Sequence, residues 1–94
     1  MENIESNIRI QAILTIDTTN LPSNFQEVIK HEQEVVEQWK NEGILDHLFL
    51  RDLKNGAVLI FKNKDENEIK ELMKTLPLYP YKKSIEYYSL IKQF

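Results

Sequence analysis

Residues 44–62 read ILDHLFLRDLKNGAVLIFK, and the fold turns on how this stretch is read. Two apolar runs, residues 44–52 and 57–62, flank Lys54-Asn55-Gly56. Branched and aromatic residues at this density favour strands. Asn-Gly readily supplies the positive φ angles of a tight turn. The stretch therefore predicts two antiparallel strands joined by a hairpin, and its neighbours decide what the hairpin packs against.

Upstream, residues 25–42 carry Phe25, Val28, Ile29, Val35, Val36 and Trp39 at the spacing of an amphipathic helix. Leu21-Pro22 precedes it, with Ser23 and Asn24 as N-cap candidates. Gly43 suits a left-handed C-terminal cap. Further upstream, residues 8–17 alternate as a strand: Ile8, Ile10, Ala12, Leu14 and Ile16 point one way, Arg9, Gln11, Ile13 and Thr15 the other. Downstream of the hairpin, Asp65 caps a second helix reaching about Leu76, with Ile69, Leu72, Met73 and Leu76 as its buried stripe. Pro77 lacks an N–H and disfavours helical geometry at Leu76, so it stops the helix. Pro77-Leu78-Tyr79-Pro80-Tyr81 forms a stiff aromatic loop, and residues 83–92, with Tyr87, Leu90 and Ile91, make a last strand.

The order β-α-β-β-α-β is the ferredoxin-like plan, an α+β fold. Right-handed crossovers place both helices on one face of a four-stranded antiparallel sheet. The other face stays open, exposing Ile13, Phe49 and several Ile and Tyr side chains of the last strand. A second copy of the same sheet is the economical cover, giving a two-fold dimer. Ninety-four residues make one domain, here residues 8–94 behind a polar extension, residues 1–7.

Composition narrows the function classes. Net charge is −3 with no basic block, which argues against nucleic acid as the main partner. The absence of cysteine excludes disulfides, thiolate metal sites and cysteine nucleophiles. The opening residues lack the apolar core of a signal peptide, and no apolar run approaches the length of a membrane span. A cytoplasmic setting follows as the default. Both glycines are explained by a cap and a turn, which leaves no glycine-rich phosphate loop. The two histidines, His31 and His47, lack metal-site spacing, so no metal is expected.

One residue breaks the pattern of the first helix. Glu32 projects from near the centre of its apolar stripe. A buried carboxylate must be paired, hydrogen-bonded, protonated or beside a cavity. The structural explanation is that it leans to the helix edge or pairs with a cation. The functional one is that a carboxylate of raised pKa in a pocket serves general acid/base chemistry.

Three stretches carry a resemblance. Glu32 is followed by Glu42-Gly43 and then Asp46-His47-Leu48; Ala57-Val58-Leu59-Ile60-Phe61 leads into Glu66-Asn67-Glu68-Ile69-Lys70-Glu71-Leu72; and Leu76-Pro77-Leu78-Tyr79-Pro80-Tyr81 precedes the last strand. Together they resemble the muconolactone delta-isomerase family, from about Ile8 to Leu90. The resemblance implies a dimeric α+β barrel that assembles further, often into decamers. It also implies a proton shift in an unsaturated lactone, catalysed without metal or organic cofactor. By its spacing to Gly43, Glu32 falls at the family's acid/base carboxylate. His31 and Gln33 depart from the family's lysine-rich surroundings there, and Leu45 and Phe49 replace its tryptophans.

The remaining candidates are weighed beside it. His47, expected on one strand face with Leu45, Phe49 and Arg51, is a second catalytic candidate as donor or proton relay, or else a histidine bonded to backbone or a neighbouring chain. Arg51 would bind a carboxylate-bearing ligand, and Arg9 and Arg51 would equally serve inter-subunit salt bridges. Tyr79 and Tyr81 would wall the pocket, or seal the barrel end. Trp39 reads as core and His31 as surface. The leading expectation is a cofactor-independent isomerase for a small acidic or lactone-type molecule. The alternatives are a non-catalytic ligand-binding or assembly module, and a cofactor-free monooxygenase.

Overall fold

The computed structural model describes residues 7–94. The polar extension lies outside the described residues except for Asn7, whose carbonyl accepts from the Lys92 N–H at 2.7 Å. The elements are β1 (Ile8–Ile16), α1 (Phe25–Asn41), β2 (Leu45–Leu50), β3 (Gly56–Phe61), α2 (Glu66–Met73) and β4 (Lys82–Ile91). A single 3-10 turn, Tyr79–Tyr81, leads into β4. The strands form one antiparallel sheet in the order β2-β3-β1-β4, the ferredoxin-like arrangement.

Alternation along β1 sorts the two faces as expected. Ile10, Ala12, Leu14 and Ile16 are buried on the helix side with Leu59 and Phe61 of β3. Ile69, Met73 and Leu76 close the core from the α2 side. Trp39 anchors the end of α1, its ring edge-on to Phe61 with centroids 5.6 Å apart. Gly43 takes φ +77°, the left-handed cap that its position demanded.

Several boundaries differ from the sequence reading, each for a local reason. Asn24 occupies the N-cap of α1, yet its side chain makes no capping bond; its carbonyl accepts from Glu27 and Val28. Helix α2 stops at Met73 rather than Leu76. The Thr75 and Leu76 N–H groups bond back three residues, to Leu72 and Met73, and the Thr75 hydroxyl takes the Leu72 carbonyl at 2.6 Å. Its capping box is complete: Asp65 and Glu68 exchange side-chain and backbone bonds.

At the hairpin, positive φ falls on Lys54 (+58°) and Gly56 (+153°), not on Asn55. A side chain at Gly56 would collide with the Leu14 carbonyl, so this residue is fixed by close approach as well as by its backbone angle. Strand β2 ends at Leu50 because the Arg51 N–H already closes the turn onto the Gly56 carbonyl at 3.0 Å.

The largest departure is a bulge in β2. Leu45 pairs with Phe61 and His47 with Ile60, leaving Asp46 as the extra residue. Parity reverses across it. Leu45 points into the core, whereas His47 and Phe49 share the open face and Leu48 turns to the helix side beside Leu59. His47 and Leu45 are thus on opposite faces. The open face exposes Phe49, Tyr88 and Leu90. No helix among the described residues is long and apolar enough to cross a membrane.

Candidate functional site

The apolar stripe of α1 is only half-buried along most of its length, with Trp39 as its one fully buried residue. A cavity of about 460 Å³ between helix and sheet explains this. Phe25, Ile29 and Val36 face it from α1; Leu14, Ile16 and Leu59 form its floor on the sheet. The hairpin closes one end with Leu50, Arg51 and Lys54, and Leu78 borders it from the loop after α2. The hollow opens to the outside, so it is a cleft that solvent or a ligand can enter.

Among the described residues, Glu32 is the only carboxylate lining the cavity. Its Oε1 accepts a hydrogen bond from the Leu78 backbone N–H at 3.1 Å. Among the described residues this is the only hydrogen bond to the group, and no cation pairs with it. Burial raises its pKa above the ordinary glutamate value, and the Leu78 N–H offsets part of that rise. Neither structural explanation from the sequence applies: Glu32 neither leans into bulk solvent nor meets a lysine or arginine.

Arg51 borders the same cavity and donates from Nη1 to the Thr15 hydroxyl at 2.8 Å. It has no carboxylate partner among the described residues. Thus Glu32 and Arg51 border one cavity, from α1 and from the hairpin. The other candidates do not. His47 lies on the open face, stacked on Phe49 with centroids 6.1 Å apart, and its Nε2 is 3.7 Å from Asp46 Oδ2. It borders a second, more open hollow of about 290 Å³ beside Glu37 and Lys40. Tyr79 and Tyr81 pack against the core without reaching the cavity, and Lys82 sits 4.7 Å over the Tyr79 ring. The wall position expected of the tyrosines is taken by Leu78.

Arg9 is buried and donates from Nε to Asp46 Oδ2 at 3.0 Å, an intrachain bridge where an inter-subunit one was expected. Burial alone would raise the Asp46 pKa. The Arg9 hydrogen bond, with the charges of His47, Arg9 and Lys62, outweighs burial and holds the carboxyl below its usual range. The Asp46 bulge is thereby pinned by a cation reaching from β1. His31 is exposed, beside Glu34.

Sequence reasoning missed Leu78, Lys54 and Thr15. Leu78 acts through its backbone N–H, a donor that every residue but proline carries, so no side-chain signal marks it. Among the described residues no group of three metal-ligating side chains gathers. Compared with known proteins, residues 8–90 match the family model described as muconolactone delta-isomerase. No curated protein matches the chain.

Proposed function

The chain belongs to the muconolactone delta-isomerase family, and from that premise we propose that it shifts a proton within a small acidic or lactone-type molecule bound in the Glu32 cavity. The observation that carries this reading is the solitary carboxylate of raised pKa on an otherwise largely apolar wall. A base removing a proton from carbon works best when it is desolvated and close to neutrality in pKa. Burial desolvates Glu32 and raises its pKa, and the Leu78 N–H holds one oxygen so that the other is free for the substrate.

The step balances within the substrate. Glu32 takes a proton from a carbon conjugated to the lactone carbonyl, and the C–H electron pair delocalises onto the carbonyl oxygen. The double bond moves as the dienolate forms. The protonated Glu32 then returns the proton to a different carbon of the conjugated system, regenerating the carboxylate. Gln33 and Thr18 also border the cavity and are its uncharged polar side chains, the groups we assign to stabilising the enolate charge. Arg51 serves in binding. His47 and the tyrosines take no part in this step. The same reading carries self-association through the open sheet face, as a homodimer able to build higher oligomers such as a decamer, in a cytoplasmic setting.

The alternative of binding without turnover draws on one observation: the Leu78 bond gives Glu32 a structural task, tying α1 to the loop before β4. An unsaturated lactone incubated with the protein in deuterated water separates the two. A catalyst exchanges solvent label into the substrate at the carbons flanking the shifted double bond, and Glu32→Gln abolishes that exchange with the fold intact. Exchange at the full rate in the variant would remove Glu32 as the base.

A further inference from the structure

The second hollow continues the Glu32 cavity along the groove between α1 and β2. Strand β2 returns beside the helix, so the end of α1 lies against the start of the strand, with Lys40 and Leu45 lining the same space. The inner hollow, about 460 Å³, has Glu32 on a largely apolar wall. The outer one, about 290 Å³, is rimmed by Glu37, Lys40, Asp46 and His47. Gln33, Val36 and Leu48 line both, and so form the partition between them. A branched Cβ in a helix restricts Val36 to essentially one rotamer. Gln33 is exposed, and its side chain makes no hydrogen bond among the described residues. Leu48 is the bulk that the sheet contributes, and it owes its place to the bulge. With Asp46 as the extra residue, Leu45 and Leu48 both face the helix although they are three positions apart rather than two. The buried Arg9 side chain holds that bulge at Asp46. Strand β2 is at the edge of the sheet, and Leu48 remains 40% exposed while facing the helix. It stands in the groove rather than beneath the helix.

We infer that Leu48 is a specificity-determining residue: it ends the inner hollow on the side away from the hairpin and so sets the length of ligand that fits beside Glu32. This rests on the reading that the inner hollow holds a small molecule, and not on the proton shift that follows. An apolar tail running along α1 from a ring held at Glu32 meets Leu48 before it reaches the charged rim. Passing it means displacing the leucine and desolvating the polar groups beyond. A smaller residue at position 48 joins the two hollows, and a larger one shortens the inner hollow. The same side chain keeps the hydrated charges of Glu37 and Lys40 apart from the apolar wall around Glu32.

The test is a series of saturated five-membered lactones bearing unbranched alkyl tails of increasing length, titrated calorimetrically into the full chain. They have no double bond to shift, so only fit is read. For the wild type, affinity should rise about fourfold with each methylene buried and level off where the tail meets Leu48. Leu48→Ala should carry the rise to longer tails, with about fourfold gained per further methylene. Leu48→Phe should bring the limit to shorter tails, and Leu48→Met, of similar volume, should leave it in place. Leu50→Ala enlarges the same cavity at the hairpin end and should not move the limit. Opposite shifts from two changes at one position cannot come from a general loss of structure. A limit at the same tail length in the wild type, Leu48→Ala and Leu48→Phe overturns the proposal. So does a shift in Leu50→Ala equal to that in Leu48→Ala, or failure of the whole series to bind. Solvent-label exchange into a short unsaturated lactone is read in parallel and should persist in Leu48→Ala. Its absence from the wild type would count against the proton shift and leave the length limit standing.

Discussion

Replacing Glu32 by glutamine should stabilise the protein at neutral pH and should do nothing of the kind in acid. The side chain keeps its shape, and the amide oxygen can still accept from the Leu78 N–H, now 3.1 Å from Oε1. Two effects oppose each other. Exchanging a charged acceptor for a neutral one weakens that bond by about 1 kcal/mol. Against this, the charged form no longer has to be held in the cavity wall, and burial is the larger influence because it raises the pKa despite the bond. The carboxylate is half-buried and borders a solvent-filled cleft, so screening keeps the net gain to about 1 kcal/mol. For a domain of this size that corresponds to roughly 4–8 °C in melting temperature.

The sign with pH follows from linkage. A carboxyl whose folded pKa is raised binds its proton more tightly in the native state than in the unfolded one. Its contribution to stability is complete below the unfolded value, about 4.3, and is lost as pH rises through the raised folded value. The wild type should therefore lose stability relative to Glu32→Gln across that window, and the two should run parallel on either side. Urea or thermal denaturation of both proteins at half-unit pH intervals, at one fixed protein concentration because association shifts apparent stability, reads the difference directly. A difference that stays flat from pH 4 to 8, or a wild type that gains on the variant as pH rises, would refute the claim that burial governs this carboxylate.

Two further outcomes follow from other parts of the fold. Asp46→Asn turns the charged acceptor of the Arg9 Nε–H into a neutral one, with the arginine side chain only 5% exposed, and should cost about 1.5 kcal/mol in urea denaturation. Because the Asp46 pKa is lowered, the stability it contributes is present above the unfolded aspartate value and disappears as pH falls through the folded one; the variant should lack that acid-sensitive component. Phe49→Glu places a charge on the β2 edge of the open face, where Phe49 is 57% exposed. Sedimentation equilibrium should show a smaller species for the variant than for the wild type, and identical masses would mean that this face is not the contact.

The fold was legible because the signals that specify it are periodic and local. Alternation in β1, the stripe of α1 and the Gly43 cap each act through near neighbours in sequence, and each survives in the structure, whereas α2 ends at Met73, short of the stop expected from Pro77. What could not be read is what depends on register. A single extra residue, Asp46, reverses the faces of β2 and carries His47 away from the side occupied by Glu32. Nothing in the run Leu45-Asp46-His47 announces a bulge, since the residue that pins it, Arg9, lies 37 positions away. The hairpin shows the same limit at shorter range: Asn-Gly was rightly read as a turn, but the positive angle fell one residue earlier, on Lys54.

Glu32 was visible because it violates a pattern, and the structure gives that violation a physical cause. A leucine at this position would have filled part of the cleft and left the Leu78 N–H without its acceptor. The carboxylate instead serves both neighbours: it satisfies a backbone donor that the proline-rich loop offers, and it keeps one polar atom on a wall otherwise built from Phe25, Ile29 and Val36. The two tasks conflict energetically, since the bond favours the charged form and the wall favours the neutral one. A carboxylate pulled both ways is a costly structural staple, since glutamine would accept the same bond without the penalty of burying a charge. It is well chosen as a proton carrier, which must spend part of each cycle in either state. Proton transfer, beside the helix-to-loop bond, is therefore the role we propose for position 32.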